Sequence, residues 1–222
     1  LRLVGTSDFL EEFDPSARSA VLLATYFGRI PDHAHVHLAE QARNNGVVVI
    51  EDETHRVLTP GGVPADISFG SLRKMLPVAD GAYVHGDPEV IEEVAKLESA
   101  DSGRWCVMDT KLASLQNEVV GDHRSKFVQA NAVLDDPQRE RRASNRTVET
   151  IRRLPYGEFA HIRRENAHAL RAALVESRIR LLFDDDGGVA SHVVVSVGNA
   201  LDIQQKMAKE RIFCPIHWPP VP

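Results

Sequence analysis

The sequence has few cysteines and no long apolar segment, and each absence excludes a class of protein. Only two cysteines occur in 222 residues, Cys106 and Cys214, and they are too far apart for a zinc motif or a secreted disulfide framework. No apolar run approaches the ~20 residues that a membrane-spanning helix needs. We therefore expect a protein of the reducing cytoplasm, with two inert cysteines.

Concentrated positive charge is also absent. The formal net charge is −6, and the 26 Lys and Arg residues are spread through the sequence, so no basic stripe indicates a nucleic-acid partner. The chain begins without Met and without a signal-peptide pattern. This opening indicates a fragment, or the ordered remainder of a longer protein, that is long enough to bury a core.

The first half of the chain alternates between strand and helix patterns. Strands are expected at residues 19–27, 47–50, 65–70 and 81–86. A helix is expected from Asp32 to Asn45, with Gly46 at its C-terminal cap. The run at 47–50 is continuously apolar, which is typical of parallel strands covered on both faces. This rhythm predicts an α/β fold with a mostly parallel sheet.

From Pro88 onward the pattern becomes mainly helical. Helices are expected at residues 90–97, 111–134, 139–154, 158–176 and 201–211, and short strands at 179–183 and 192–197. The segment DDDGG, residues 184–188, predicts a hairpin turn between those strands. We expect residues 1–135 to belong to a large domain with linking helices, and residues 136–222 to form a small α+β domain.

Two charged side chains follow neighbouring strands of the predicted sheet. Asp52 comes just after the apolar run at 47–50, and Lys74 follows the next predicted strand. Because ligands bind beyond the carboxyl ends of parallel strands, both are expected at one ligand-binding edge. Burial, or a nearby cation such as Arg73, would favour a neutral lysine amine that forms an imine with an aldehyde. A buried Asp52 carboxylate would keep a pyridine nitrogen protonated.

Several stretches of the sequence resemble one enzyme family. They are VVVIEDETH (47–55), ADISFGSLRK (65–74), the upstream LLATYFGRIPDHAHVHLAEQARNNG and the tail CPIHWPP. Together they resemble the DegT/DnrJ/EryC1/StrS aminotransferases, most strongly over residues 20–86. The resemblance implies the aspartate-aminotransferase fold (fold type I), with the N-terminal part of the large domain missing. It also implies pyridoxal 5'-phosphate as cofactor and a keto-sugar or small keto substrate in a biosynthetic pathway.

The resemblance implies roles for five residues. Asp52 would pair with the pyridine nitrogen of the cofactor, and His55 would lie near its ring hydroxyl. Lys74 would bind the cofactor as an imine and shuttle the proton of transamination. Ser71, three residues before the lysine, would be a phosphate ligand, with Ser68 as a second candidate. The resemblance further implies a homodimer whose subunits share their active sites, in the cytoplasm expected above. Its substrates would be a small-molecule amino donor and a keto acceptor.

The chain departs from the family in two respects. Residues 77–82 read PVADGA where many relatives carry an acidic Gly-Gly, which bears on sugar specificity. The missing N-terminal region supplies the backbone phosphate contacts and the stacking aromatic residue in relatives.

Alternative interpretations stay open for the residues and for the chemistry. Asp52 as a turn residue and Lys74 as a surface lysine are the simpler readings of a short motif. Three histidines near the first helix lie ~200° apart in succession and cannot converge on one metal ion, so no metal site is expected. The alternative activities are another pyridoxal-phosphate reaction (lyase, desulfurase or dehydratase) and a non-catalytic subunit that retains the fold. No arginine is singled out for a substrate carboxylate among Arg152, Arg153, Arg163, Arg164 and Arg211.

Overall fold

A computed structural model describes residues 20–100, 103–116, 123–132 and 140–216. A four-stranded sheet lies at its centre, and its strands follow chain order across the sheet. The first three strands are parallel and the fourth is antiparallel to the third. The strands are β1 (Ala20–Ala24), β2 (Val48–Asp52), β3 (Ile67–Ser71) and β4 (Ala82–Gly86). The predicted α/β fold with a mostly parallel sheet is confirmed, and each strand overlaps its predicted segment.

Helices make up most of the remaining described structure. They are α1 (His33–Asn44), α2 (Pro88–Lys96), α3 (Gly103–Leu115), α4 (His123–Ala132), α5 (Asn145–Arg153), α6 (Tyr156–Glu176) and α7 (Ala200–Lys209). Within the described part of the chain, no helix has both the length and the apolar character to cross a bilayer.

Helix α1 connects β1 to β2 and covers one face of the sheet. Asp32 caps its first turn, because Oδ1 accepts a hydrogen bond from the backbone N–H of His35 at 3.0 Å. Its apolar face buries Leu38, Ala39 and Ala42. These pack with buried side chains of β1 and β2 in one of the two cores of the molecule. This crossover brings the ends of β1 and β2 to the same edge of the sheet, here called the carboxyl edge.

The second core lies behind the connection from β3 to β4. Leu72, Met75, Leu76, Val78 and Ala79 are buried there, together with side chains from α3, from α6 and from the segment before α7. The connection starts with a 3-10 turn, Leu72–Lys74. The apolar residues of this connection pack against side chains of α3 and α6, so they anchor the backbone around Lys74.

The structure differs from the sequence prediction in the second half of the chain. In place of one helix at 111–134 it has α3, which begins at Gly103, and α4. The strands expected at 179–183 and 192–197 form only an isolated antiparallel bridge between Leu181 and Val195. The DDDGG segment contacts the chain after β1 instead of closing a regular hairpin, since Asp186 accepts a hydrogen bond from the N–H of Ile30.

The predicted division into domains stays a prediction. The expected boundary near residue 135 lies outside the described residues, as do residues 1–19 and the end of the CPIHWPP tail at 217–222.

Candidate functional site

Asp52 is the last residue of β2 and lies at the carboxyl edge. It is paired with Ala24 of β1 on one side and with Phe69 of β3 on the other. The side chain is half-buried, and its Oδ1 accepts a hydrogen bond from the backbone N–H of Thr54 at 2.9 Å. Within the described residues this is the only hydrogen bond of that side chain. One carboxylate oxygen is therefore fixed in direction while the other is available to a ligand.

The residue before Asp52 lies on the opposite face of the sheet and is held by a buried ion pair. Glu51 Oε1 accepts a hydrogen bond from Arg56 Nη2 at 2.6 Å, and both side chains are almost completely buried. Arg56 Nη2 also lies 2.5 Å from Glu53 Oε1, and Nη1 donates to the carbonyl of Gly61. Burial raises the pKa of Glu51, and the nearby Arg56 charge opposes that rise. These contacts bend the segment after β2 back toward Glu51, and they fix the backbone next to Asp52 at the end of the strand.

Tyr83 of β4 extends this network. Its hydroxyl donates to Glu53 Oε2 at 2.5 Å, and the pKa of Tyr83 is strongly raised, first by burial and then by this hydrogen bond. The ring lies over Gly70 of β3, where a Cβ would come within 2.7 Å of it. A side chain at Gly70 would therefore force the Tyr83 ring to shift, and the network ties β4 to the segment that carries His55.

His55 lies beyond the end of β2 in a cluster of rings. Its Nδ1 accepts a hydrogen bond from the backbone N–H of Phe27 at 3.3 Å, which places the proton of the neutral imidazole on Nε2. The rings of Tyr26, Phe27 and His192 have centroids 5.4, 6.1 and 6.3 Å away. Buried Phe27 has φ of 66°, a conformation that costs a residue with a side chain about 1–3 kcal/mol and that clusters at functional sites.

Lys74 ends the 3-10 turn that follows β3. The turn is fixed from both sides, because the N–H of Leu72 donates to Gly81 O at 3.1 Å and Arg163 Nη2 donates to Met75 O at 3.0 Å. The Lys74 side chain is exposed, whereas a buried amine was expected from the sequence. Within the described residues its amine makes no hydrogen bond or ion pair, so an anchored backbone presents an accessible amine.

The two serines lie on opposite faces of β3. Phe69 is paired with Asp52, so Ser71, two residues further on, lies on the face of Asp52. Ser68 is paired with Glu51 and lies on the other face. The structure thus brings Ser71, but not Ser68, to the face of the sheet that carries Asp52. Both phosphate-ligand roles stay predictions.

The cluster also contains residues that the sequence reasoning missed. His192 and Phe183 come from the segment before α7 and contact Phe27, with centroid distances of 6.0 and 5.9 Å. Buried Thr59 holds this segment in place: its hydroxyl donates to Gly28 O at 2.7 Å and accepts from the N–H of Val189 at 2.9 Å. No local pattern signals these contacts, since Thr59 and Val189 are 130 positions apart.

A large groove in the described structure lies away from this site. It has a volume of about 710 Å³ and lies at the opposite end of the parallel strands, where Arg43, Gly46, Val48 and Asp66 line it. Its polar residues include a carboxylate and a guanidinium that are already paired, because Arg43 Nε donates to Asp66 Oδ1 at 3.1 Å. We therefore place the candidate site at the carboxyl edge on the basis of its side chains.

Comparisons with known proteins identify the fold. No protein-family model matches the chain, and no curated protein matches its sequence. The chain is similar to the crystal structure of ureidoglycine-glyoxylate aminotransferase from Bacillus subtilis, with a TM-score of 0.50 and 14% sequence identity. The match covers 98% of this chain and 56% of that chain, so this chain spans little more than half of the length of its neighbour. The likeness shows that the chain has an aminotransferase-like α/β fold.

Proposed function

We propose that the chain is part of a pyridoxal-phosphate-dependent aminotransferase that acts on a keto-sugar or a small keto substrate in a biosynthetic pathway. The observation that carries the proposal is the placement of a carboxylate and an amine after two neighbouring parallel strands. Asp52 ends β2 and Lys74 directly follows β3. In open α/β sheets this edge is where ligands bind, and the fold is similar to that of a solved aminotransferase.

The chemistry of these side chains fits the cofactor. A carboxylate with one oxygen fixed by Thr54 and the other available suits the protonated nitrogen of a pyridine ring. His55, with its proton on Nε2, suits the ring hydroxyl, and Ser71 suits the phosphate. The exposed Lys74 amine is the covalent attachment point. When bound, pyridoxal phosphate would supply an aldehyde and an electron-withdrawing ring.

Asp52, Thr54 and Lys74 would each have a separate role in amino transfer. Asp52 would hold the pyridine nitrogen of the cofactor in its protonated form, because an adjacent carboxylate favours the charged form of that nitrogen. The Thr54 N–H keeps the carboxylate oriented, so less freedom is lost when the ring binds. Lys74 would hold the cofactor through its amine, and its Nζ would then be the group that moves a proton at the substrate carbon. The buried Glu51–Arg56 pair holds the segment between β2 and β3, which carries Thr54 and His55.

The finer features of the enzyme belong to the same proposal. We place the chain near the DegT/DnrJ/EryC1/StrS family, in the cytoplasm, as a homodimer whose partner subunit helps to form each active site. The support is the sequence pattern at 47–55 and 65–74. Analytical ultracentrifugation tests the assembly, and a monomer at all concentrations with the cofactor bound would argue against shared active sites.

Absorbance spectroscopy with added pyridoxal phosphate tests cofactor attachment. The purified protein should shift the band of the free aldehyde, and Lys74→Ala should abolish the shift while Asp52→Asn alters its position. Lys96→Ala is the matched control, since Lys96 is another exposed lysine, which pairs with Glu93 at 2.5 Å, and its variant should behave as wild type. An unchanged wild-type spectrum, or equal loss in both lysine variants, would refute the role of Lys74.

Half-reactions separate the candidate chemistries. Glutamate or glutamine should convert the bound cofactor to its amine form, and an added keto substrate should restore the aldehyde form. A lyase, desulfurase or dehydratase would consume its substrate without this cycle. A non-catalytic subunit would show neither the cycle nor any substrate turnover.

A further inference from the structure

A buried carboxylate lies between the turn that carries Lys74 and the start of helix α5. Asp80 belongs to the connection from β3 to β4 and is 5% exposed. Its Oδ1 accepts a hydrogen bond from the backbone N–H of Ser144 at 3.0 Å, and its Oδ2 accepts one from the Ser144 hydroxyl at 2.8 Å. Ser144 is the N-terminal cap of α5 and lies 64 positions away in sequence. Asp80 therefore joins the connection to the first turn of a distant helix.

The polar groups around Ser144 form one buried cluster. Trp105 of α3 donates from Nε1 to the hydroxyls of Ser144 and Thr147, at 3.2 and 3.0 Å. The Thr147 N–H also donates to Ser144 Oγ, at 3.3 Å. Because all of these side chains are buried, moving the Asp80 carboxylate away would leave donors of Ser144 without a partner and without water. The cluster therefore restricts Asp80 to one position relative to α5.

The residue after Asp80 contacts the Lys74 turn directly. Gly81 O accepts a hydrogen bond from the N–H of Leu72 at 3.1 Å, and Leu72 is the first residue of that turn. Gly81 has φ of 94°, and a Cβ there would lie 3.0 Å from Thr147 Cγ2. Helix α5 thus packs closely against the backbone of Gly81. A position that Asp80 fixes relative to α5 is in this way passed to the backbone of the turn.

The residue before Asp80 is held by a different helix. Ala79 O accepts a hydrogen bond from Arg104 Nε of α3 at 2.9 Å, and Arg104 Nη1 donates to Ala130 O of α4 at 2.8 Å. Three consecutive residues, 79–81, are therefore held by α3, by the cap of α5 and by the turn. The Asp80 carboxylate is the one of these contacts that a side-chain substitution on the connection itself removes.

We infer that Asp80 is a positioning residue for Lys74, which acts through Gly81 and Leu72 and ties the lysine turn to the start of α5. The Lys74 side chain is exposed and makes no hydrogen bond or ion pair with the described residues, so the backbone of the turn sets where the amine can reach. A misplacement of about 1 Å can cost a reacting group roughly 10²-fold in rate. The role in cofactor attachment rests on the proposed function, whereas the hold on the turn belongs to the chain alone.

Three variants separate this role from a general loss of stability. Asp80→Ala removes both contacts with Ser144. Trp105→Phe is the matched control, because it removes two hydrogen bonds from the same buried cluster but keeps those between Asp80 and Ser144. Asp80→Asn keeps the shape of the side chain and an oxygen for the Ser144 N–H, so it should restore most of the wild-type behaviour. Ser144→Ala, which loses the hydroxyl contact from the other partner, takes the place of Asp80→Ala if circular dichroism shows that variant to be unfolded.

Amide hydrogen exchange, measured by NMR on the protein without cofactor, tests the hold on the turn. The rate at Leu72 is compared with that at Val49 of β2, which reports on opening of the sheet. Relative to Val49, Leu72 should exchange at least about tenfold faster in Asp80→Ala, because its hydrogen bond to Gly81 is then held less firmly. The ratio should change little in Trp105→Phe. An unchanged ratio in Asp80→Ala, or an equal rise in both variants, overturns the inference whatever the cofactor does.

Borohydride reduction of the protein mixed with pyridoxal phosphate, followed by peptide mass spectrometry, tests the position of the amine. The amount of cofactor attached to Lys74 relative to Lys96 should fall about tenfold in Asp80→Ala and persist in Trp105→Phe and in Asp80→Asn. An equal preference for Lys74 in wild type and in Asp80→Ala overturns the positioning role and leaves the proposed function intact. A wild type with no preference for Lys74 refutes the proposed function instead, and the exchange at Leu72 then decides whether Asp80 holds the turn.

Discussion

Replacing Arg56 with methionine would leave two carboxylates, Glu51 and Glu53, without their shared cation. The Arg56 and Glu51 side chains are only 1% and 2% exposed, and Glu53 is 18% exposed. The carbonyl of Gly61 would lose its donor as well. Methionine is unbranched and flexible like the arginine stem but shorter, so the change removes charge and hydrogen bonds with a modest loss of packing volume.

The size of the loss in stability depends on the charge that stays buried after the substitution. Removing one partner of a buried ion pair typically costs about 3–5 kcal/mol, because the other charge stays desolvated and unpaired. Glu51 can relieve part of that cost by taking up a proton, since burial already raises its pKa. We therefore expect Arg56→Met to lower the free energy of unfolding by about 3 kcal/mol near neutral pH. The loss should shrink in acid, where Glu51 is protonated.

Urea denaturation followed by circular dichroism measures this loss. The double variant Glu51→Gln/Arg56→Met should recover at least about 1 kcal/mol of it, because no charge is then stranded next to β2. Lys96→Met serves as the control, since its pair with Glu93 is exposed, and exposed pairs contribute about 0–1 kcal/mol. A loss for Arg56→Met no larger than that of the control would refute the reasoning from burial.

Three further substitutions test the network and the contacts around the site. Because burial raises the folded pKa of Glu51 above its ordinary value of 4.5, its stabilising contribution is present below that value and is lost as pH rises through the folded pKa. The stability of wild type relative to Glu51→Gln should therefore fall as pH rises above 4.5 in urea titrations. Thr59→Val removes two buried hydrogen bonds at nearly constant shape, and should cost about 1–3 kcal/mol and speed amide exchange at Val189. Gly28→Ala should cost well above the ~1 kcal/mol typical of a left-handed glycine, because its Cβ would lie 2.0 Å from Val189 O. Gly46→Ala is the control, since it has a similar φ but nothing within 4 Å, and thermal denaturation that gives equal losses would contradict the steric argument.

Local patterns were sufficient to predict the sheet. The apolar run at 47–50 and the Asp-to-Gly segment at 32–46 are signals within a few residues, and they correspond to β2 and α1. The parallel order of β1 to β3 then follows from the crossover rule, which places Asp52 and Lys74 at one edge. The family resemblance implies roles for the same two residues, and those roles stay predictions.

Contacts over long sequence separations were not predictable. The DDDGG segment has the composition of a hairpin turn, yet Asp186 pairs with Arg29, 157 positions earlier. Likewise, Arg56 reads as a loop residue, and only the return of the chain over Glu51 buries it. The exposure of Lys74 is a third example, because burial depends on which elements pack over the turn after β3. The deciding partner of Asp186 is distant in sequence and that of Arg56 is five residues away, and neither contact leaves a periodic signal.

The two hydrogen bonds of the Thr59 hydroxyl bear on the order in which parts of the molecule fold. It joins Gly28, 31 positions away, to Val189, 130 positions away. Closing the longer loop costs more chain entropy, and such distant contacts form slowly compared with local ones. The sheet can therefore form during synthesis while the segment with Asp186 and His192 is still emerging. A nascent chain released too early would contain Asp52 and Lys74 yet lack His192, one of the three rings around His55.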